Sequence, residues 1–190
     1  FLADGHRADS MKTDSIDDLF ARYGESYRVL VMITGMAASF TMVVSGTIVN
    51  VAVPDVMGAF GVGLDQAQLM TSAFNIAMVT SQLLSAWLVS AFGQRGGFLL
   101  MSLVFVVGSV IAGLGQDFNL IVVGRVLQGV AAGVIQPLVM VVAFQVFPTE
   151  RRGYAMAIYS MGVFLAVAVG PIIGGVAIDL LEWRYIFWAP

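Results

Sequence analysis

The sequence contains no cysteine and a single histidine, His6. Disulfides and thiolate metal sites are therefore excluded, and His6 lies in a charged tail where a solvated residue is the simpler reading than a ligand. No H-E-x-x-H and no G-x-S-x-G occurs, and the glycine-rich Gly58 to Gly63 stretch lacks the G-K-[ST] ending of a phosphate loop. Soluble-enzyme chemistry finds no support, and no enzyme activity, cofactor or metal is expected. Charge is scarce too: 11% of residues are Asp, Glu, Lys or Arg, against about 25% in an ordinary soluble domain. The formal net charge is −3, and no basic field points to nucleic acid.

What is present is apolar. Hydrophobic residues make up 59% of the chain, and five stretches carry no charge at all: Val29 to Pro54, Gln66 to Gln94, Gly96 to Gln116, Val126 to Thr149 and Gly153 to Ile178. Each reaches the ~20 residues that a helix needs to cross a hydrocarbon core. The expected fold class is all-α, a polytopic transmembrane helical bundle whose first partner is the lipid bilayer. Residues 1–26 form a tail and 27–190 the bundle, with spans at about 27–53, 69–92, 98–114, 119–147 and 154–181 and a sixth beginning near 185. Ile16, Leu19, Phe20 and Tyr23 recur at helical spacing in the tail, which predicts a short amphipathic helix at the interface. Both ends look like cuts through a longer protein.

Short connections predict antiparallel neighbours. Pro54 to Gln68 is read as a glycine-bearing loop, Phe92 to Gly97 as a glycine-flanked turn, and Pro148 to Arg152 as a proline-headed break. Basic residues mark the cytoplasmic side: Arg22 and Arg28 precede the first span, Arg95 follows the second, and Arg151 and Arg152 follow the fourth. The N-terminus is therefore predicted to be cytoplasmic.

Arg125 is the only charged residue well inside a span. A permanent cation at depth faces a cavity or a partner, which makes it a candidate site, although snorkelling to the outer interface or a purely structural bond explains its position equally well. At ~100° per residue, Gly129 and Gln136 return close to the phase of Arg125, and Gln128 falls to its other side. Asn50, Asn75, Gln82 and Gln145 complete the strong hydrogen-bonders in or near the spans.

The run from Gly124 to Gly133, which includes Arg125, Gln128 and Gly129, resembles the fourth-helix motif of the major facilitator superfamily. Gly170-Pro171-Ile172-Ile173-Gly174-Gly175 resembles the antiporter motif of that superfamily's drug:proton antiporters. Thr47 to Pro54, with Asn50 inside it, is similar to the first-helix signature of the fourteen-helix, EmrB/QacA-type exporters, and Trp183 to Phe187 to their sixth-helix start. The sequence departs from them at Ser45, where an aspartate is usual. The second-to-third connection keeps Gly93 and Arg95 but has Ser90 in a loop that is usually acidic.

The resemblance implies the N-terminal half of a major facilitator fold in the cytoplasmic membrane, exporting drugs or other amphipathic organic compounds by alternating access. Protons are the implied coupling ion, and a C-terminal bundle of the same chain the implied partner. It places Arg125, Gln128 and Asn50 on the substrate and proton pathway, to which helical phase alone adds Gln136, and assigns packing and gating to Gly129, Gly133, Gly170, Pro171, Gly174 and Gly175. Gly93 and Arg95 belong to the cytoplasmic loop. The rival readings are an uncoupled facilitator or metabolite exporter of the same fold, and a non-transporting membrane scaffold.

Overall fold

The computed structural model describes residues 26–180 and 182–188. The first helix, α1, spans Ser26–Ile48. Its end is drawn tight by three short backbone bonds, Asn50 N to Thr47 O, Val51 N to Ile48 O and Ala52 N to Val49 O, the tightened geometry with which helices often finish. The chain then enters α2, Val53–Phe60, with Pro54 in its first turn, where a missing N–H leaves no bond unmade. Gly61 closes α2 at φ 63, and α3, Leu64–Ala67, follows. The first helix thus stops before the expected Val53, and the expected loop is two short helices. Apolar composition runs unbroken through Val51, Ala52 and Val53, but the helical hydrogen bonds do not.

The long α4, Leu69–Leu114, is a hairpin. Gly93, at φ 71 and ψ 169, is its only non-helical residue. The fold-back follows from what each arm touches. A Cβ on Gly129 would strike the Phe74 carbonyl, and one on Gly124 would lie 2.6 Å from the Gly108 carbonyl. Phe74 and Gly108 would be ~51 Å apart on one straight helix, yet their partners are ~8 Å apart on theirs. Residues 69–92 and 94–114 are therefore antiparallel arms. The turn is tighter than the expected Phe92 to Gly97 connection, since residues 94 to 97 are already helical.

The backbone of Gly93 lies in a region that only glycine occupies readily. A Cβ there would meet nothing within 4 Å, so the requirement is conformational rather than steric. Gly93→Ala is expected to cost about 1–3 kcal/mol, seen as a lowered unfolding midpoint of the detergent-solubilised protein. An unchanged midpoint would mean that the turn relaxes freely.

Two long helices remain. α5 is Phe118–Val146, with Pro137 inside it, and α6 is Thr149–Leu180, with Pro171 inside it. The basic pair Arg151 and Arg152 lies in the first turn of α6 rather than in a loop. Arg151 N bonds to the Pro148 carbonyl and Arg152 Nε donates to the Phe147 carbonyl, so the chain resumes helix directly after the proline. At the far end the expected sixth span is represented by a 3-10 turn, Trp183–Phe187. The amphipathic segment expected in the tail falls outside the described residues.

α5 is the hub. It packs on both arms of α4 and on α1, while α6 lies along α1. In an apolar 18-residue stretch of α5, 56% of the residues are buried, against 17% in the corresponding stretch of α6. Tyr154, Phe164, Ile172 and Leu180 on α6 turn outward. A water-soluble bundle would bury such a stripe; in a bilayer it faces a medium as apolar as itself.

Candidate functional site

Glycines shape the site before any polar group does. On α5, Gly124 admits residues 108–112 of α4, and Gly129 and Gly133 admit Phe74, Met78 and Ser81 of its other arm. Backbones this close leave room for a single long side chain between them, and that chain is Arg125.

The guanidinium is fully buried. Nη1 donates to the Ser45 carbonyl at 3.0 Å, the Ser45 hydroxyl at 3.2 Å and Gln128 Oε1 at 2.8 Å, while Nε reaches the Met70 carbonyl at 3.4 Å. Three acceptors share the two hydrogens of Nη1. The guanidinium lies over the Phe74 ring, with Cζ 4.3 Å from its centroid, a cation–π contact strengthened by exclusion of water. Gln128 Nε2 donates onward to the Ser109 hydroxyl at 2.8 Å. One cation thus joins α1, both arms of α4 and α5.

The cage is neutral. Nη2 is buried and meets no acceptor, and no ion pair reaches Arg125 among the described residues. Among the described residues the acids Asp55, Asp65, Asp117, Glu150, Asp179 and Glu182 all stand at helix ends or in connections. Snorkelling does not describe this side chain, which is held inward by three helices.

The expected site residues separate into groups. Gln128 is in the cage and Gly129 beside it. Gln136 is half-buried ~16 Å farther along α5 and makes no side-chain hydrogen bond among the described residues. Asn50 is elsewhere: its Oδ1 accepts from the Thr71 hydroxyl at 3.0 Å. With Val53, Gln68, Thr71 and Ser72 it lines a recess of about 340 Å³. Gly170 and Gly174 seat α6 on Thr47 and Ile48 of α1, whereas Gly175 has nothing within 4 Å and Pro171 points outward. Gly93 makes the turn, with Arg95 exposed just beyond it.

Ser45 was visible in the sequence only as a departure from the first-helix signature; its contact with Arg125 was not. Phe74, Ser109 and the Met70 carbonyl carried no signal. Two further cross-links were equally silent, Tyr159 to the buried Ser39 at 3.2 Å and Gln94 to Gln145 at 2.8 Å.

The sequence profile of the Major Facilitator Superfamily matches residues 35–190. The chain belongs to the Major Facilitator Superfamily. Its long apolar helices make it a multi-pass membrane protein of that transporter family. It is 36% identical over 83% of its length to the uncharacterized MFS-type transporter YhcA of Bacillus subtilis, covering 30% of that protein. It is 33% identical over 84% of its length to the multidrug export protein EmrB of Escherichia coli and to that of Haemophilus influenzae, covering 31% of each. The chain therefore spans about a third of the length of these relatives. Within the superfamily alignment fall the whole Arg125 cage and the Gly170 to Gly175 segment.

Proposed function

We propose that this chain forms the N-terminal helices of an exporter of amphipathic organic compounds, working by alternating access in the cytoplasmic membrane with its N-terminus inside. The observation that carries the reading is the buried guanidinium that ties α1, α4 and α5 together. A charge held at depth by neutral groups marks a pathway in a membrane protein more readily than a strut. The similarity to proteins named as multidrug exporters supplies the direction of transport.

In this reading Arg125 and Gln128 form the wall of the pathway, with Gln136 farther inward and Asn50 at the outer recess. Gly129 and Gly133 keep that wall close-packed. Gly170 and Gly174 hold α6 to α1, and Pro171 and Gly175 face the second bundle with which these helices rock. Gly93 and Arg95 form the inner turn.

Proton entry drives export, and the titrating carboxylate lies outside these five passages. Efflux of a fluorescent dye from cells carrying the complete protein is expected to stop when a protonophore collapses the proton gradient. Ser45 in contact with Arg125 favours the uncoupled facilitator as second reading, and continued movement down the dye gradient without a protonophore effect would select it. For topology, alkaline phosphatase fused after Asp117 is expected to be active and fused after Arg95 inactive. The reverse pattern would invert the orientation.

A further inference from the structure

Among the described residues Arg125 is a cation whose every hydrogen-bond partner is neutral, and its Nη2 is buried without an acceptor. An uncompensated charge out of water is costly by several kcal/mol, and the cost falls when an anion shares the site. Arginine does not escape by losing its proton in the way that a buried lysine does. We propose that the Arg125 cage is an anion-binding site that takes the carboxylate of an amphipathic organic acid. The inference rests on the transport reading above and names the cargo class for it.

Geometry limits what the anion can be. Nη1 and Nε are already engaged, so only Nη2 has hydrogens left to give to a carboxylate oxygen, and because it is buried an anion reaches it only when the packed helices part. Arg125 is the only cation inside the passages, so a phosphate dianion would leave one charge uncompensated. The buried Phe74 ring that stacks on the guanidinium makes the cage partly apolar, which suits an aromatic or aliphatic acid better than a small hydrated ion. Serine at position 45 matters because an acid there, beside Nη1, would neutralise the cation internally.

A polar approach adjoins the cage. The Met70 carbonyl receives Arg125 Nε, and the next residue, Thr71, lines the recess shared with Asn50, Gln68 and Ser72. Those four side chains bear amides and hydroxyls and no carboxylate. The amide nitrogen of Asn50 and the side chains of Gln68 and Ser72 donate to no acceptor among the described residues. Recess and cage share a peptide unit, so relative movement of α1 and the start of α4 would join them.

The test uses the purified full-length transporter with 2-naphthoate as probe and 2-naphthamide as its neutral counterpart. Naphthoate is expected to bind about tenfold or more tightly than naphthamide, the ratio given by one charge-assisted hydrogen bond. Ser45→Asp is expected to remove that preference and to raise the unfolding midpoint, because the guanidinium gains an internal counter-ion. Ser45→Ala, which deletes the hydroxyl without adding charge, should weaken the preference less. Equal binding of the two probes by the wild type overturns the proposal, as does a preference that survives Ser45→Asp. Displacement of naphthoate by chloride at similar affinity would assign the site to small inorganic anions and also overturn it. Failure of dye efflux by the wild type would instead refute the exporter reading and leave the binding preference intact.

Discussion

Alanine at Gly129 or Gly133 is expected to collapse the folded bundle, while alanine at Gly175 leaves it untouched. The three substitutions add the same methyl group to glycines of two adjacent helices, so helix propensity would favour each of them alike. Packing separates them. The new Cβ at Gly129 runs into the Phe74 carbonyl, and at Gly133 into the Met78 carbonyl and the Ser81 hydroxyl. Backbone cannot turn aside as a side-chain tip does, so the arm 69–92 has to withdraw from α5 along its length. Overpacking a tight core costs about 1–3 kcal/mol, and the backbone obstacle puts these two positions at about the top of that range. Withdrawal also loosens the Met70 and Phe74 contacts on Arg125. Gly170 should be intermediate: its obstacle is the Thr47 hydroxyl, which is bonded to the Val43 and Val44 carbonyls and can rotate. At Gly175 the new methyl finds open space. Thermal unfolding in detergent, with membrane yield as a second readout, should rank Gly129 and Gly133 well below Gly170, with Gly175 at the wild-type value. A flat ranking would show that these close approaches relax. Loss of transport by Gly175→Ala at normal stability would locate that glycine's contact outside these helices.

The glycine series also shows where sequence reading stops. Small-xxx-small spacing announces that helices approach closely, but it does not say which face of α6 meets α1. Gly174 and Gly175 are neighbours in sequence; a Cβ on the first would meet Ile48, and on the second nothing within 4 Å. The charge-free runs overlap the long apolar helices α1, α5 and α6 and the two arms of α4, as expected where a bilayer excludes charge over a fixed thickness. Helix ends were less legible, since Ile48 and Val53 are equally apolar and only the hydrogen-bond ladder tells them apart. Helical phase found Gln128, a neighbour on the same helix. It could not find Ser45 or Met70, which arrive from positions 80 and 55 residues away. It also selected Gln136, whose angle matches that of Arg125 but which lies ~16 Å farther along α5. Within one helix the sequence carries the geometry; between helices the small-residue contacts carry it.

Arg125→Met is expected to raise the unfolding midpoint while abolishing the preference for organic anions. Methionine keeps an unbranched side chain against the Phe74 ring, a contact that sulfur also makes favourably. The substitution removes four hydrogen bonds, one of them long at 3.4 Å. Two of the acceptors are carbonyls of α1 and α4, and Gln128 keeps its bond to Ser109. Because three acceptors share the two hydrogens of Nη1 and the Nε bond is long, these losses come to about two full bonds from a charged donor, about 1.5–3 kcal/mol each. Relief of a desolvated charge that has no counter-ion among the described residues, worth several kcal/mol, is expected to exceed them. Arg125→Lys gives up the planar fork that holds Ser45, Met70 and Gln128 together, and it is relieved of its charge only by releasing a proton at neutral pH, so it should melt below the wild type. The sign of the methionine shift is the informative result. A carboxylate supplied by the rest of the protein would be orphaned by Arg125→Met, and removing one partner of a buried pair costs about 3–5 kcal/mol. A lower midpoint would therefore show that the cation is already paired inside the protein, whereas a higher one leaves the pairing to the cargo.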